Sequence, residues 1–145
     1  MIPAMFASSL LVVLCILIHY EVLRLTSDHL AELPVSPRAR ILVVVIACFA
    51  AHTVEVWLYG VAYFLSIETF GLGGFGGQTA AGFEDSLYFS AVTYTSLGLG
   101  DYYPTRGLRL IAGVEALNGL MMIAWSASFT YLAMEKYWPM HRRRG

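Results

Sequence analysis

Two groups of residues in this chain have types and spacings that could do chemistry. The first is His52 and Glu55, with Glu115 and Asn118 further along. His52 and Glu55 are three apart and so share one face of a helix. All four sit in otherwise apolar runs, where an ionisable side chain is costly and marks a functional candidate. Such a cluster could sense a proton or an ion and switch the protein between states, or it could be a buried polar set fastening one helix to its neighbours. A metal site is poorly served, since two ligands at helical spacing fall short of a closed coordination set. His19 and Glu21 lie near the end of another apolar run, close enough to reach an interface with water. The second group is Thr95-Ser96-Leu97-Gly98-Leu99-Gly100-Asp101. Glycine adopts positive φ without penalty, so Gly98 and Gly100 could shape an unusual backbone. Alone, a GxG string reads as a turn, so the elements around it have to decide.

Those elements are dominated by apolar residues. Hydrophobic residues make up 58% of the 145-residue chain and charged ones 13%, about half the usual charged share of soluble domains. So much apolar surface in so short a chain points to a bilayer as solvent. A net charge of −1 gives no reason to expect nucleic acid as a partner. Cys15 and Cys48 lie inside apolar runs and read as packing residues. Ile2 to Tyr20 is long enough to span. It lacks the basic start and the small-residue cleavage site of a signal peptide. Further spans run over about 41–66, interrupted by His52 and Glu55, and about 108–134, interrupted by Arg109 and Glu115.

Arg24, Arg38 and Arg40 cluster around the 26–40 linker, and Lys136, Arg142, Arg143 and Arg144 occupy the C-terminal tail. The 67–107 segment has Arg106 alone against Glu68, Glu84, Asp85 and Asp101. Positive charge favours the cytoplasmic side. The expectation is a multi-pass cell-membrane protein with the linker and C-terminus inside, and the N-terminus and 67–107 outside.

Segment 67–107 is neither apolar enough to span nor polar enough for a plain loop. Gly71 to Gly77 reads as a loose loop. Its GxGxxG match carries no dinucleotide-binding meaning, because it follows a membrane span and opens no βαβ unit. From about Phe83 to Thr95 the pattern is helical, with Glu84 and Asp85 in the first turn, where carboxylates suit the positive helix end. Twelve residues cover only about 18 Å, too short for roughly 30 Å of hydrocarbon. The segment must enter and return, and irregular backbone at membrane depth has to be buried in protein or line a water-filled cavity.

In that position, Thr95 to Pro104 (TSLGLGDYYP) is similar to the TTVGYGDxYP filter of potassium channels. The resemblance covers roughly 41–134, is specific over 93–104 and diffuse elsewhere. It implies an all-α membrane protein, with three transmembrane helices, a re-entrant pore helix and a selectivity-filter loop, assembled as a homotetramer because one chain supplies only one pore loop. The implied organisation is an N-terminal helix over 1–25, a cytoplasmic linker over 26–40 and a pore domain over 41–134. Within the pore domain lie an outer helix 41–66, an extracellular loop 67–82, a pore helix 83–95, a filter 96–101 and an inner helix 106–134. A basic tail at 135–145 follows, with no regulatory domain after it.

Carbonyls must all face one axis in such a filter, which an ordinary strand cannot do, and Gly98 and Gly100 are spaced to allow it. K+ would be held by Ser96, Leu97, Gly98 and Leu99, flanked by Thr95, Gly100 and Asp101. No cofactor is implied beyond bound K+, and the partners are monovalent cations, membrane lipids and further copies of the chain. Arg109, Gly119, Ala124, Ser126 and Ala127 fall where the family's inner helices carry similar features. Gly119 is either a hinge or a site of close helix packing.

The chain departs from the family at three places: Ser96 for threonine, Leu99 for tyrosine or phenylalanine, and Val92 where some members place a glutamate. Neither Leu99 nor Val92 can hydrogen-bond behind the filter, which leaves packing by Tyr88, Phe89 and Tyr94, plus whatever Asp101 finds. The function expected is passive K+ conduction, with a weakly selective monovalent cation channel as the alternative. A membrane enzyme or accessory subunit using His52, Glu55 and Glu115 would leave TSLGLGD unexplained.

Overall fold

A computed structural model describes residues 2–77 and 82–138. The basic residues Arg142, Arg143 and Arg144 lie outside this range. Among the described residues four helices form, α1 (Ile2–Leu30), α2 (Pro37–Glu68), α3 (Phe83–Tyr94) and α4 (Leu108–Tyr137). Three of them, α1, α2 and α4, are long and apolar enough to cross a membrane. At 12 residues, α3 covers about 18 Å and cannot.

The first helix runs five residues into the stretch expected to be linker. Thr26 and His29 bond back to the carbonyls of Val22 and Leu25, at 2.6 and 2.9 Å, so these polar residues extend the helix rather than end it. The break comes at the prolines. Ser36 caps α2 by accepting from the Ala39 N–H at 3.3 Å, and Pro37 follows in the first turn, where its missing N–H costs nothing. Arg40 clasps the turn, donating to the carbonyls of Ala31 and Leu33 at 3.1 and 3.2 Å.

The glycine run after α2 is not the loose loop expected. Phe75 and Gly76 form strand β1, antiparallel to β2 (Tyr103–Pro104), with Phe75 opposite Pro104 and Gly76 opposite Tyr103. The Thr105 N–H donates to the Gly74 carbonyl at 2.9 Å, and the Thr105 hydroxyl bonds the same residue. Close backbone approach explains two of the glycines, since a side chain at Gly73 would strike the Thr105 carbonyl and one at Gly77 the Asp101 carbonyl. This two-stranded clip fixes where the chain returns from α3 into α4.

The core has two apolar parts. One joins Ala4, Leu11 and Cys15 of α1 to Tyr59, Tyr63, Phe89, Leu108 and Ile111. The other joins Leu23 and Leu30 to Val44, Cys48 and Ala133. Along α1, α2 and α4, the buried polar residues His19, Glu55 and Ser126 fall between these two parts. Only 28–39% of each span's most apolar window is buried in the chain. The remaining apolar surface requires lipid or further protein to cover it.

Candidate functional site

The stretch after α3 has a distinctive backbone. Ser96, Gly98 and Gly100 take φ of 56, 59 and 80°, while Leu97 and Leu99 between them do not take positive φ. Positive φ at every second residue breaks the alternation by which a strand turns successive carbonyls to opposite sides. At Ser96 the conformation carries a steric cost that glycine escapes. The inner end of the stretch stays tied to the helix, with the Ser96 and Leu97 N–H groups donating to Thr93 and Val92 carbonyls, both at 2.9 Å. The Thr95 hydroxyl bonds back to the Ala91 carbonyl at 2.8 Å. Leu97 and Leu99 are 63% and 59% exposed, so nothing in one chain covers their side chains.

The outer end is held by two crossed bonds. The Tyr88 hydroxyl of α3 donates to Asp101 at 2.8 Å, and the Tyr102 hydroxyl donates back to Asp85 of α3 at 2.8 Å. The two rings meet edge to face with centroids 5.9 Å apart. The bond to Asp85 raises the Tyr102 hydroxyl above its ordinary pKa, because ionising the phenol would set two negative oxygens against each other. Asp85 also accepts from the Gly82 N–H at 2.9 Å, which ties the start of α3 into the same clamp.

Asp101, whose partner the sequence left open, thus finds it in Tyr88, one of the residues expected to support the stretch by packing. Tyr88 gives Asp101 a directional bond, while Phe89 and Tyr94 face elsewhere. Phe89 packs against Tyr63 and Phe75. Tyr94, 1% exposed, points back to α2 and donates to Glu55. A donor–acceptor pair such as Tyr88 and Asp101, thirteen residues apart, was visible in the sequence, but its closure depended on how the loop returns.

The ionisable residues inside the spans divide into separate sets. Glu55 accepts from His19 of α1 at 2.9 Å and from Tyr94, while His52 lies 2.9 Å from the Tyr94 hydroxyl. Ser126 of α4 completes this set, 2.9 Å from His52 and 3.2 Å from His19. Glu115 stands apart, accepting from Tyr63 and lying 2.6 Å from the Ser90 hydroxyl. Asn118 donates to Tyr59 at 3.4 Å, a marginal bond. The four residues read together from the sequence are therefore not one cluster.

His19, expected near the interface, is fully buried among these residues, while Glu21 pairs with Arg24 on the exposed face. The ligand atoms of His19, His52 and Glu55 lie within 4.8 Å of one another, but each is already engaged in a hydrogen bond. Gly119 lies under the end of α3, where any side chain would strike the Tyr94 carbonyl. The backbones of α3 and α4 therefore pack closely at this point.

Among known protein families, the one described as ion channel matches residues 39–136, about two thirds of the chain. Neither the curated proteins nor the solved structures compared with the chain gave a match.

Proposed function

The chain belongs to the ion channel family, and from that premise we propose that it forms a homotetrameric channel conducting K+ through the backbone of Thr95 to Asp101. The observation that carries the reading is the alternation of positive φ at Ser96, Gly98 and Gly100, at the end of a helix too short to cross. Four copies around an axis would bring four such stretches together, with the carbonyls of Ser96, Leu97, Gly98 and Leu99 replacing the hydration shell of K+. The same assembly would cover Leu97 and Leu99. The extra helix α1, the orientation with the C-terminus in the cytoplasm, and placement in the cell membrane belong to this reading.

A weakly selective cation channel is the second reading. It is favoured by Leu99, which brings no hydrogen bond behind the stretch, and is opposed by the clamp at Asp101. Flux of K+ and Na+ into liposomes containing the purified protein separates the two. K+ flux well above Na+ flux, lost in Gly98→Ala, supports the first. Equal fluxes support the second. No flux of either ion in a well-folded preparation removes both.

A further inference from the structure

The buried contacts between α1, α2, α3 and α4 form a closed circuit, and counting its protons gives more than a list of bonds. Going round, Glu55 meets His19, His19 meets Ser126, Ser126 meets His52, His52 meets Tyr94, and Tyr94 meets Glu55. A hydrogen bond needs one proton between its two heavy atoms. With none, two lone pairs face each other; with two, two N–H or O–H groups collide. These five contacts therefore need five protons. Ser126 and Tyr94 bring one each. The remaining three must come from Glu55, His19 and His52, which as a carboxylate and two neutral imidazoles hold only two. A third imidazole or carboxyl proton closes the circuit, and the set then has zero net charge.

We infer that His19, His52, Glu55, Tyr94 and Ser126 form a one-proton lock that joins α1 to the inner end of α3. The third proton belongs to the set rather than to one residue: with it on Glu55 and both imidazoles neutral, each member donates once and accepts once, and the five bonds can be reversed in concert. Removing it leaves one contact with facing lone pairs. Adding another leaves one contact with opposed donors. Either change opens the circuit in a buried site, where an unmade hydrogen bond costs most. Tyr94 is the last residue of α3 and adjoins Thr95, so an open circuit loosens the anchor from which the left-handed stretch departs.

The surroundings leave this count intact. Next to the circuit lie Cys15 from α1 and Tyr59 from α2, with Glu115 from α4 near these two, and Trp125 packs on His19 with centroids 5.3 Å apart. No arginine or lysine is among these neighbours. Glu115 holds its own partners, Tyr63 and Ser90. A metal ion is not needed to satisfy any ligand atom, since each has a partner. His52, with 20% of its side chain exposed, is the most exposed member. It borders a groove of about 420 Å³ lined by Phe49, Thr53, Trp57, Leu87 and Ile123.

The lock predicts thermal stability with a maximum in pH. Losing the third proton as pH rises, or gaining a fourth as pH falls, opens a contact that exists only in the folded chain, so stability is lost on both sides. Glu55→Gln changes the count in one direction only. A glutamine amide both donates and accepts, supplying the missing proton permanently, so two neutral imidazoles complete the circuit.

Melting of the purified protein in lipid nanodiscs should fall on both sides in wild type, by on the order of 5 °C on each. Glu55→Gln should keep the acid fall and lose the alkaline one, while Glu115→Gln should retain both. If Glu55→Gln does not fold, Ser126→Ala serves. It removes two of the five contacts, and those left need only protons that Tyr94 and two neutral imidazoles carry, so the alkaline fall should again vanish. Persistence of the wild-type alkaline fall in the folded variant would overturn the lock. So would a rise in wild-type melting temperature with added Zn2+ that Glu55→Gln lacks, which would make the cluster a metal site.

The consequence for conduction rests on the channel reading. K+ flux in liposomes should follow the same pH maximum and lose its alkaline limb in Glu55→Gln. Flux indifferent to pH beside the expected melting behaviour would overturn the coupling to α3 and leave the lock standing. A wild type with no flux at any pH would count against the channel reading alone.

Discussion

The polar layer at the centre of the helices and the stretch from Thr95 to Gly100 are opposites. In the layer, Glu55, His19 and Ser126 are all but fully buried, and every polar atom of the circuit finds its partner within one chain. In the stretch, Leu97 and Leu99 are more exposed than buried and the backbone follows an uncommon path. The layer is finished as a monomer. The stretch makes sense only with something else against it, which is what a pore shared between copies would supply. A pore's axis must lie between chains, whereas the scaffold that aims the backbone has to hold within each one. Tyr94, the last residue of α3, is where the two regions meet.

The largest effect should come from the open region. Gly98→Ala puts a side chain where the left-handed backbone costs about 1–2 kcal/mol in each copy. Over four copies around one axis that is roughly 4 kcal/mol or more, a loss of about a thousandfold in K+ flux. Folding and assembly should be retained, as gel filtration and native mass spectrometry would show. Full flux in this variant would break the contrast by showing that the stretch is not under conformational constraint.

Next comes the closed region. Glu55→Ala leaves the His19 imidazole and the Tyr94 hydroxyl buried without their acceptor. Breaking a buried charged network on one side costs about 3–5 kcal/mol, so unfolding in lipid should shift markedly to lower temperature whether or not K+ is present. A loss of flux with unchanged stability would instead assign Glu55 to the conduction path and dissolve the distinction between the regions.

Tyr88→Phe should have a smaller and more selective effect. It keeps the ring and deletes the bond to Asp101, so the K+/Na+ permeability ratio from bi-ionic reversal potentials should fall by a few-fold while melting changes little. Leu99→Tyr tests the same region from the other side. A ratio that rises in Leu99→Tyr and falls in Tyr88→Phe would place the limit on selectivity in bonds behind the stretch. If neither moves it, the carbonyls hold their positions without them.

The smallest effect concerns pH at the outer end. The bond to Asp85 raises the Tyr102 pKa above its usual value. Its stabilising contribution is thus complete below the ordinary tyrosine range and is lost as pH rises through the shifted value. Strongly alkaline solution should therefore break this half of the outer clamp in wild type, and Tyr102→Phe should lose that component while keeping the one from the Tyr88–Asp101 bond, whose phenol is raised for the same reason. Tyrosinate absorbance near 295 nm (a wavelength set by the phenolate, not by this protein) would follow the ionisation, with roughly one tyrosine's absorbance separating the two titrations.

Much of this was determined by the sequence alone, and for a physical reason. Long apolar runs dictate spans because hydrocarbon leaves the backbone few alternatives. A segment too short to cross must turn back, and Ser96-Leu97-Gly98-Leu99-Gly100 specifies its backbone through neighbours one and two residues apart. What the tertiary structure decided depends on which faces of the helices meet. Spans that are apolar nearly all round carry little pattern to say which side turns inward. His19 therefore looked like an interfacial residue until α1 packed against α2 and placed it on Glu55, 36 positions away. Ser126, 107 positions from His19, looked like a small residue of the inner helix. Likewise, Gly71 to Gly77 read as slack chain because its partner strand, Tyr103–Pro104, lies beyond α3. Local conformation is written in consecutive residues, whereas the proton circuit exists only where four helices bring distant side chains to one point.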